Sequence, residues 1–222
     1  KAAITPRTKA ILPVHLYGQM VDMKALHAMV AGTNIHVLED CAHAVESVRD
    51  GVKPSQLSKA AVFSFYATKN LACGEGGAIV TNDETLYQQL LVYRLHGMNK
   101  SAADRYHSTY KHWDLELLGW KCNMNDIQAA MLLPQLARLP AQLARREEIA
   151  KRYDAGFKDV PGLSKPAVLP GSVHARHLYT IWVAPEKRDN VLAKLQERGV
   201  GVAVNFRAFH LLKYYQEELS YQ

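Results

Sequence analysis

The sequence predicts an α/β protein whose larger part is a mostly parallel sheet, and three observations predict it. Short apolar runs of strand length recur at 10–16, 35–40, 60–66 and 78–81. Amphipathic segments of helix length stand beside them, at 22–30 and from 83 to about 95. After Pro161-Gly162 the alternation restarts on a smaller scale, with a strand at 177–185, a helix at 188–198 and a strand at 201–206. Strands that alternate with helices imply a largely parallel sheet covered on both faces.

The elements follow in order. The run at 10–16 brings His15 and Tyr17 to a strand end facing the crevice where such sheets bind ligands. The helix at 22–30 returns the chain to Ile35-His36-Val37-Leu38-Glu39-Asp40, a short buried strand closed by two acids. The apolar run from Ala61 to Thr68 ends on Lys69, and Gly74-Glu75-Gly76-Gly77 separates it from Ala78-Ile79-Val80-Thr81. Those two runs are close enough to pair antiparallel. Asp83 caps the next helix. From 96 to 119 the periodicity gives way to polar and aromatic residues, among them Asn99, Lys100, Ser101, Asp104, Arg105, Tyr106 and His107. A long irregular loop in a compact protein is usually functional or mobile. Asn125 opens a helical stretch to about 158, which Pro134 kinks or interrupts and Pro140 restarts. The domain boundary falls near Met124, giving a large domain over 1–124 and long helices with a small α/β domain over 125–222.

Bulk composition narrows the function classes. The 222 residues are 48% hydrophobic and 22% charged, as in an ordinary soluble protein. No run approaches the ~20 apolar residues of a membrane helix, and no apolar signal segment opens the chain. Cys41, Cys73 and Cys122 cannot all pair with one another, which suits a reducing cytoplasm. A net charge of +6 and a pI of about 9.2 raise the question of nucleic acid. The basic residues nevertheless alternate with acids, as in Arg145-Arg146-Glu147-Glu148, and no aromatic residues interleave with them as a stacking platform requires. The expected partners are therefore small molecules, neither nucleic acid nor membrane, and a modest positive field suits anionic ones.

Lys69 and Asp40 carry the chemistry. An amine placed where a buried strand opens into a glycine-rich turn is poorly solvated, which favours its neutral, nucleophilic form. Such a lysine is suited to condense with an aldehyde cofactor. A carboxylate at the end of a parallel strand points into the ligand crevice, and pyridoxal phosphate needs an acid opposite its ring nitrogen. Asp40, 29 positions before Lys69, supplies it. The plainer alternatives are a solvated strand-end lysine and a pair of turn-capping acids.

Glu39-Asp40-Cys41-Ala42-His43-Ala44, Phe63-Ser64-Phe65-Tyr66-Ala67-Thr68-Lys69-Asn70 and Gly74-Glu75-Gly76-Gly77 closely resemble the DegT/DnrJ/StrS family of pyridoxal-phosphate-dependent sugar aminotransferases. Pro13-Val14-His15-Leu16-Tyr17-Gly18, Lys121-Cys122-Asn123-Met124-Asn125-Asp126 and Asn205-Phe206-Arg207-Ala208-Phe209-His210 extend the match along the chain in the right order. The last segment, with Lys213-Tyr214-Tyr215 and the acid-x-x-His pattern, looks most like the branch that aminates a UDP-4-keto-pentose. The resemblance implies fold-type I, aspartate aminotransferase-like, with pyridoxal 5′-phosphate as cofactor. It implies transamination of a nucleotide-linked keto sugar with glutamate as donor, in polysaccharide or lipopolysaccharide biosynthesis, by a homodimer with shared sites. It also leads one to expect an earlier segment with hydroxyl residues for the cofactor phosphate and further small-domain elements after 222, so that the chain reads as part of a longer protein.

The same resemblance distributes roles. Lys69 is the catalytic, cofactor-bearing lysine, Asp40 the partner of the ring nitrogen, and His43 stands where many members have a glutamine bonding the ring hydroxyl. Ser64 matches a phosphate contact and Asn123 a residue reaching the neighbouring subunit's phosphate. His15 and Tyr17 are candidates to orient the sugar, and Arg207 and His210 to bind the donor carboxylate or the sugar nucleotide. Each has a plainer reading: a core histidine for His43, a local backbone bond for Ser64, a helix start for Asn123. Glu75 is read as holding the turn, with a substrate contact as the alternative. Cys41-x-His43 lacks a second ligand pair at metal spacing, so no metal is expected. Three rivals stand beside the aminotransferase: a pyridoxal-phosphate sugar dehydratase, a non-catalytic relative, and a Rossmann-like nucleotide module. The first replaces the lysine with histidine, and the last lacks a G-x-G-x-x-G opening a helix.

Overall fold

Four strands form the sheet that positions the site: β1 (Ala10–Ile11), β2 (His36–Asp40), then, beyond the short β3 (Val48–Arg49), β4 (Ala60–Ser64) and β5 (Gly77–Val80). Their order is β1-β2-β4-β5, with β1, β2 and β4 parallel and β5 antiparallel to β4. The structure is a computed structural model that describes residues 1–99 and 112–219. The loop residues Lys100, Ser101, Asp104, Arg105, Tyr106 and His107 lie outside them.

The run at 10–16 is shorter as a strand than its composition suggests. Pro13 has no N–H to continue the ladder, and pairing resumes only as the Val14–Asp40 bridge. Helix α1 (Met23–Val30) begins on Asp22, whose carboxylate accepts from the Ala25 N–H at 2.9 Å. Its Met23, Leu26 and Val30 bury one face against Met20, Val37 and Val52. Helix α2 (Glu84–Tyr93) is capped by Asp83, which accepts from Leu86 N–H at 2.8 Å. Helix α3 (Asp126–Leu136) starts on the Asn125 cap and ends two residues after Pro134, and α4 (Leu139–Phe157) restarts with a proline in its first turn.

Leu132 and Leu139 are buried with Phe65, Leu71 and Cys73, under the turn that carries Lys69. Gln135 doubles the contact, donating to Ala72 O at 2.8 Å and accepting from Ala72 N–H at 3.2 Å. The long helices therefore pack with the sheet. The chain divides into one unit of Lys1–Lys158 with Ala167–Tyr179 and a second of Asp159–Pro166 with Thr180–Gln222. That division lies well past 124, because α3 and α4 share the core of the larger unit.

Within the first unit β7 (Ser172–Val173) pairs antiparallel with β3. The second unit holds an antiparallel pair, β6 (Leu163–Ser164) with β8 (Trp182–Val183), then α5 (Pro185–Glu197) and the short α6 (Lys213–Glu217). The strand expected over 177–185 is only Trp182–Val183, and 201–206 forms none. Among the described residues 201–206 joins no strand ladder. No helix of the described residues is long and apolar enough to cross a membrane.

Candidate active site

Two acids at the end of β2 face opposite ways, as the two-residue period of a strand requires. Glu39 is 1% exposed and points inward, whereas Asp40 is exposed. Inside, His15 Nε2 donates to Glu39 Oε2 at 2.6 Å, while His15 Nδ1 accepts from the Val21 N–H at 3.1 Å. Glu39 Oε1 takes the Ser55 N–H at 2.8 Å and the Ser58 hydroxyl. Burial alone would raise the Glu39 carboxyl, but the hydrogen bonds from His15, Ser58 and Ser55 outweigh it and hold it low.

The sequence expectation that His15 orients a sugar is thereby corrected. The ring is fully buried and both its nitrogens are engaged, because the turn after Pro13 sends it into the core. His15, Glu39 and Cys41 also place three possible metal-binding atoms within 4.8 Å of one another, a different set from Cys41-x-His43. Both His15 and Glu39 already have partners, and burial pushes the Cys41 thiol up, away from the thiolate that a metal takes. The cluster is a hydrogen-bonded knot.

Outside, Asp40 Oδ1 accepts from the Ala42 N–H at 2.9 Å and Cys41 O from the Ala44 N–H. These bonds close a turn, and they set His43 beside Asp40. Lys69 stands in the turn between β4 and β5, half-buried. That turn is held by Lys69 N–H to Tyr66 O, Ala67 N–H to Gly74 O, and Cys73 N–H to Phe65 O. Gly76 has no room for a side chain, since a Cβ would meet Cys73 Sγ at 2.9 Å and Met124 Sδ at 3.0 Å.

Both Asp40 and Lys69 lie within electrostatic reach of His43. Its pKa lies below the usual 6.5, first through burial and then through the Lys69 charge, with Asp40 opposing. The Tyr17 ring stacks on it at 6.2 Å and 11°. Tyr17 is not at a strand end but in the Leu16–Gly18 turn, with φ of 58°. The next residue must be glycine: Gly18 has φ of 102°, and a Cβ there would meet the Ala175 Cβ at 2.9 Å.

A residue that the sequence did not single out also stacks on His43. His177 stacks on it at 4.3 Å. His177 Nδ1 lies 3.2 Å from Asn70 Oδ1, and Asn70 Nδ2 donates to Glu46 Oε2 at 2.8 Å and Ala175 O at 2.9 Å. Arg146 locks Glu46 through two bonds of 2.6 and 2.5 Å and also reaches Ala175 O. Asn70 follows Lys69 directly, a signal available in the sequence. His177 is 107 positions further on, and nothing local announces it.

The remaining candidates scatter. Ser64 ends β4 and accepts from the Tyr66 N–H at 3.3 Å, the local backbone bond, with its own O–H still available as a donor. Asn123 is exposed and is not a helix cap, since Asn125 has that role. Glu75 is exposed, and its carbonyl accepts from Cys73 Sγ. Arg207 and His210 belong to the second unit and are exposed there.

A consequence for stability arises here. Burial first, then neighbouring positive charge, lowers His174 and His177 from 6.5 to about 4. The unfolded chain takes up protons below about 6.5, and the folded chain resists until about 4, so the unfolded state binds more protons between those limits. Stability is therefore expected to fall as pH drops through that window. His174→Gln should flatten the slope of urea midpoint against pH, and an unchanged slope would contradict the assignment.

Pyridoxal 5′-phosphate asks for an anion at its ring nitrogen, an amine for its aldehyde and a donor for its ring hydroxyl. Asp40 is exposed with one carboxylate oxygen unshared among the described residues, Lys69 is within electrostatic reach of His43, and His43 accepts at Nδ1 from the Tyr17 N–H at 3.2 Å, leaving a proton on Nε2. The donor set fits.

Comparison with known proteins agrees. The chain is 44% identical to the spore coat polysaccharide biosynthesis protein SpsC of Bacillus subtilis (strain 168), covering 100% of itself and 59% of that relative. Among solved structures it resembles Helicobacter pylori PseC, an aminotransferase involved in the biosynthesis of pseudoaminic acid, with a TM-score of 0.88 and 30% identity over 99% of this chain and 58% of that one. S. venezuelae DesV, solved in complex with a ketimine intermediate, gives 0.86 and 35% over 98% and 56%. The chain thus spans a little over half the length of these relatives. With all of residues 1–222 matched, the chain belongs to the DegT/DnrJ/EryC1/StrS aminotransferase family.

Proposed function

We propose that this chain carries the cofactor-binding part of a pyridoxal-phosphate-dependent aminotransferase acting on a nucleotide-linked keto sugar, with glutamate as the amino donor. The observation that carries the reading is the placement of Asp40 at the end of β2, paired in parallel with β4, whose following turn carries Lys69; the charges of both act on His43. SpsC and PseC, by name, serve polysaccharide and pseudoaminic acid biosynthesis, which supports a sugar substrate. Three free cysteines suit a reducing cytoplasm.

Bound pyridoxal phosphate would supply an aldehyde that exchanges amines and a pyridinium that draws electron density. Asp40 would hold the proton on the ring nitrogen. His43 Nε2–H would donate to the ring hydroxyl, and Ser64 O–H to the phosphate. Lys69 Nζ, free once the donor amine has taken its place, would take the proton from the donor's α-carbon as general base and return it as general acid to the former aldehyde carbon two bonds away. The sugar half reverses these transfers, so ping-pong kinetics are expected.

The intact protein, supplied with L-glutamate, should release 2-oxoglutarate and aminate one of a set of probes: a UDP-4-keto-pentose and UDP- or TDP-linked 4-keto-6-deoxyhexoses. Failure to transfer nitrogen to any of them would sink the substrate assignment. The working unit is proposed as a homodimer in which exposed Asn123 reaches the neighbouring site. Mixing inactive Lys69→Ala with inactive Asn123→Asp should then restore part of the activity through one intact hybrid site. No recovery after confirmed subunit exchange, or a monomeric native protein, would remove the shared site.

A further inference from the structure

Two imidazoles stack in the candidate site, and the hydrogen bonds around them assign the proton on each ring. His43 accepts at Nδ1 from a backbone N–H, so its neutral ring is protonated at Nε2 and offers a donor. His177 is set the other way. The Asn70 amide has no choice of orientation: its nitrogen faces the Glu46 carboxylate and the Ala175 carbonyl, two groups that only accept. Arg146 pins both of those acceptors in turn. The amide oxygen is thereby forced toward His177 Nδ1, which must carry the proton. The neutral ring is left with a lone pair on Nε2, and among the described residues that nitrogen has no hydrogen-bond partner.

We propose that His177 is a substrate-binding residue whose Nε2 accepts a hydrogen bond from a hydroxyl of the sugar, and that Asn70 is the positioning residue that fixes this tautomer. An acceptor-only nitrogen pairs with an O–H and repels a carboxylate. Burial first, then the second imidazole of His43, which cannot easily protonate together with it, and the charges of Lys69 and Arg146 hold the ring down to about 4, so near neutral pH it does not become a cation that would welcome the carboxylates of the amino donor. One crevice serves both half-substrates in turn, and His177 is matched to only one of them. The choice of sugar rests on the transamination reading above; the tautomer does not.

Neutron diffraction from deuterated crystals of the intact, ligand-free protein at neutral pH reads the proton positions directly. The expected map has deuterium on Nδ1 of His177 and on Nε2 of His43. Deuterium on Nε2 of His177 overturns the proposal. A kinetic arm uses the intact holoprotein with His177→Phe, which keeps a ring against His43 but removes the acceptor, and His177→Gln, which returns a carbonyl acceptor. The L-glutamate half-reaction should stay within about threefold of wild type. The half-reaction with the UDP- and TDP-linked keto sugars should show KM raised about tenfold in His177→Phe, the scale of one lost hydrogen bond, and partly restored in His177→Gln. Equal losses in both halves, or none in the sugar half, overturn the proposal while transamination stands. Wild-type protein that aminates none of the keto sugars fails the transamination reading itself, and the sugar assignment falls with it.

Discussion

Lys69→Ala should abolish turnover while leaving the fold and a weakened affinity for pyridoxal phosphate. The turn that carries the lysine is held by backbone bonds and by the burial of Phe65, Leu71 and Cys73 against Leu132 and Leu139, none of which involves the amine. The methyl replacement therefore removes chemistry and little structure. Two contributions go at once: the nucleophile that holds the cofactor, and the base that moves the α-proton. General acid–base catalysis alone is worth about two to four orders of magnitude, so the loss should reach at least the top of that range. The protein should also lack the yellow colour expected of the intact form. The His43 and His177 rings should titrate higher, because the Lys69 charge that holds them down is gone. Retained activity in Lys69→Ala would remove the mechanism.

Asp40→Asn should be the next most damaging change. The two side chains are nearly isosteric, and the amide oxygen of the replacement can still accept from the Ala42 N–H, so the turn after β2 survives. What disappears is the negative charge that keeps a pyridinium protonated. A rate loss of about two to four orders of magnitude is expected, comparable to removing a principal electrostatic contribution. His43 should respond in the opposite sense to its response in Lys69→Ala, since Asp40 raises its pKa where Lys69 lowers it. A loss smaller than about fivefold would mean that Asp40 does not face the ring nitrogen.

Much of the scaffold was legible in the sequence because it depends on local rules. Asp83 caps its helix and Asn125 opens the next, Pro134 and Pro140 mark the break between α3 and α4, and the two runs flanking the glycine-rich turn pair antiparallel. The two-residue period of β2 separates an inward Glu39 from an outward Asp40. The misreadings share a cause, which is that contacts between distant segments decide them. His15 looks like a crevice residue until the break at Pro13 turns it onto Glu39. The boundary near 124 ignores Leu132, Leu139 and Gln135, which tie the long helices to the lysine turn. The segment 201–206 has the composition of a strand but joins no ladder among the described residues. His177 reaches the site only because Ala175 and His177 donate their backbone N–H groups to Gly18 and Tyr17.

Reductive trapping tests the central claim most directly. The intact protein is incubated with pyridoxal 5′-phosphate, reduced with borohydride, digested, and its peptides weighed. A phosphopyridoxyl group fixed to Lys69, and absent from protein treated with L-glutamate before reduction, is the result expected. A label on another lysine, or none after the yellow form has been reduced, would contradict the account.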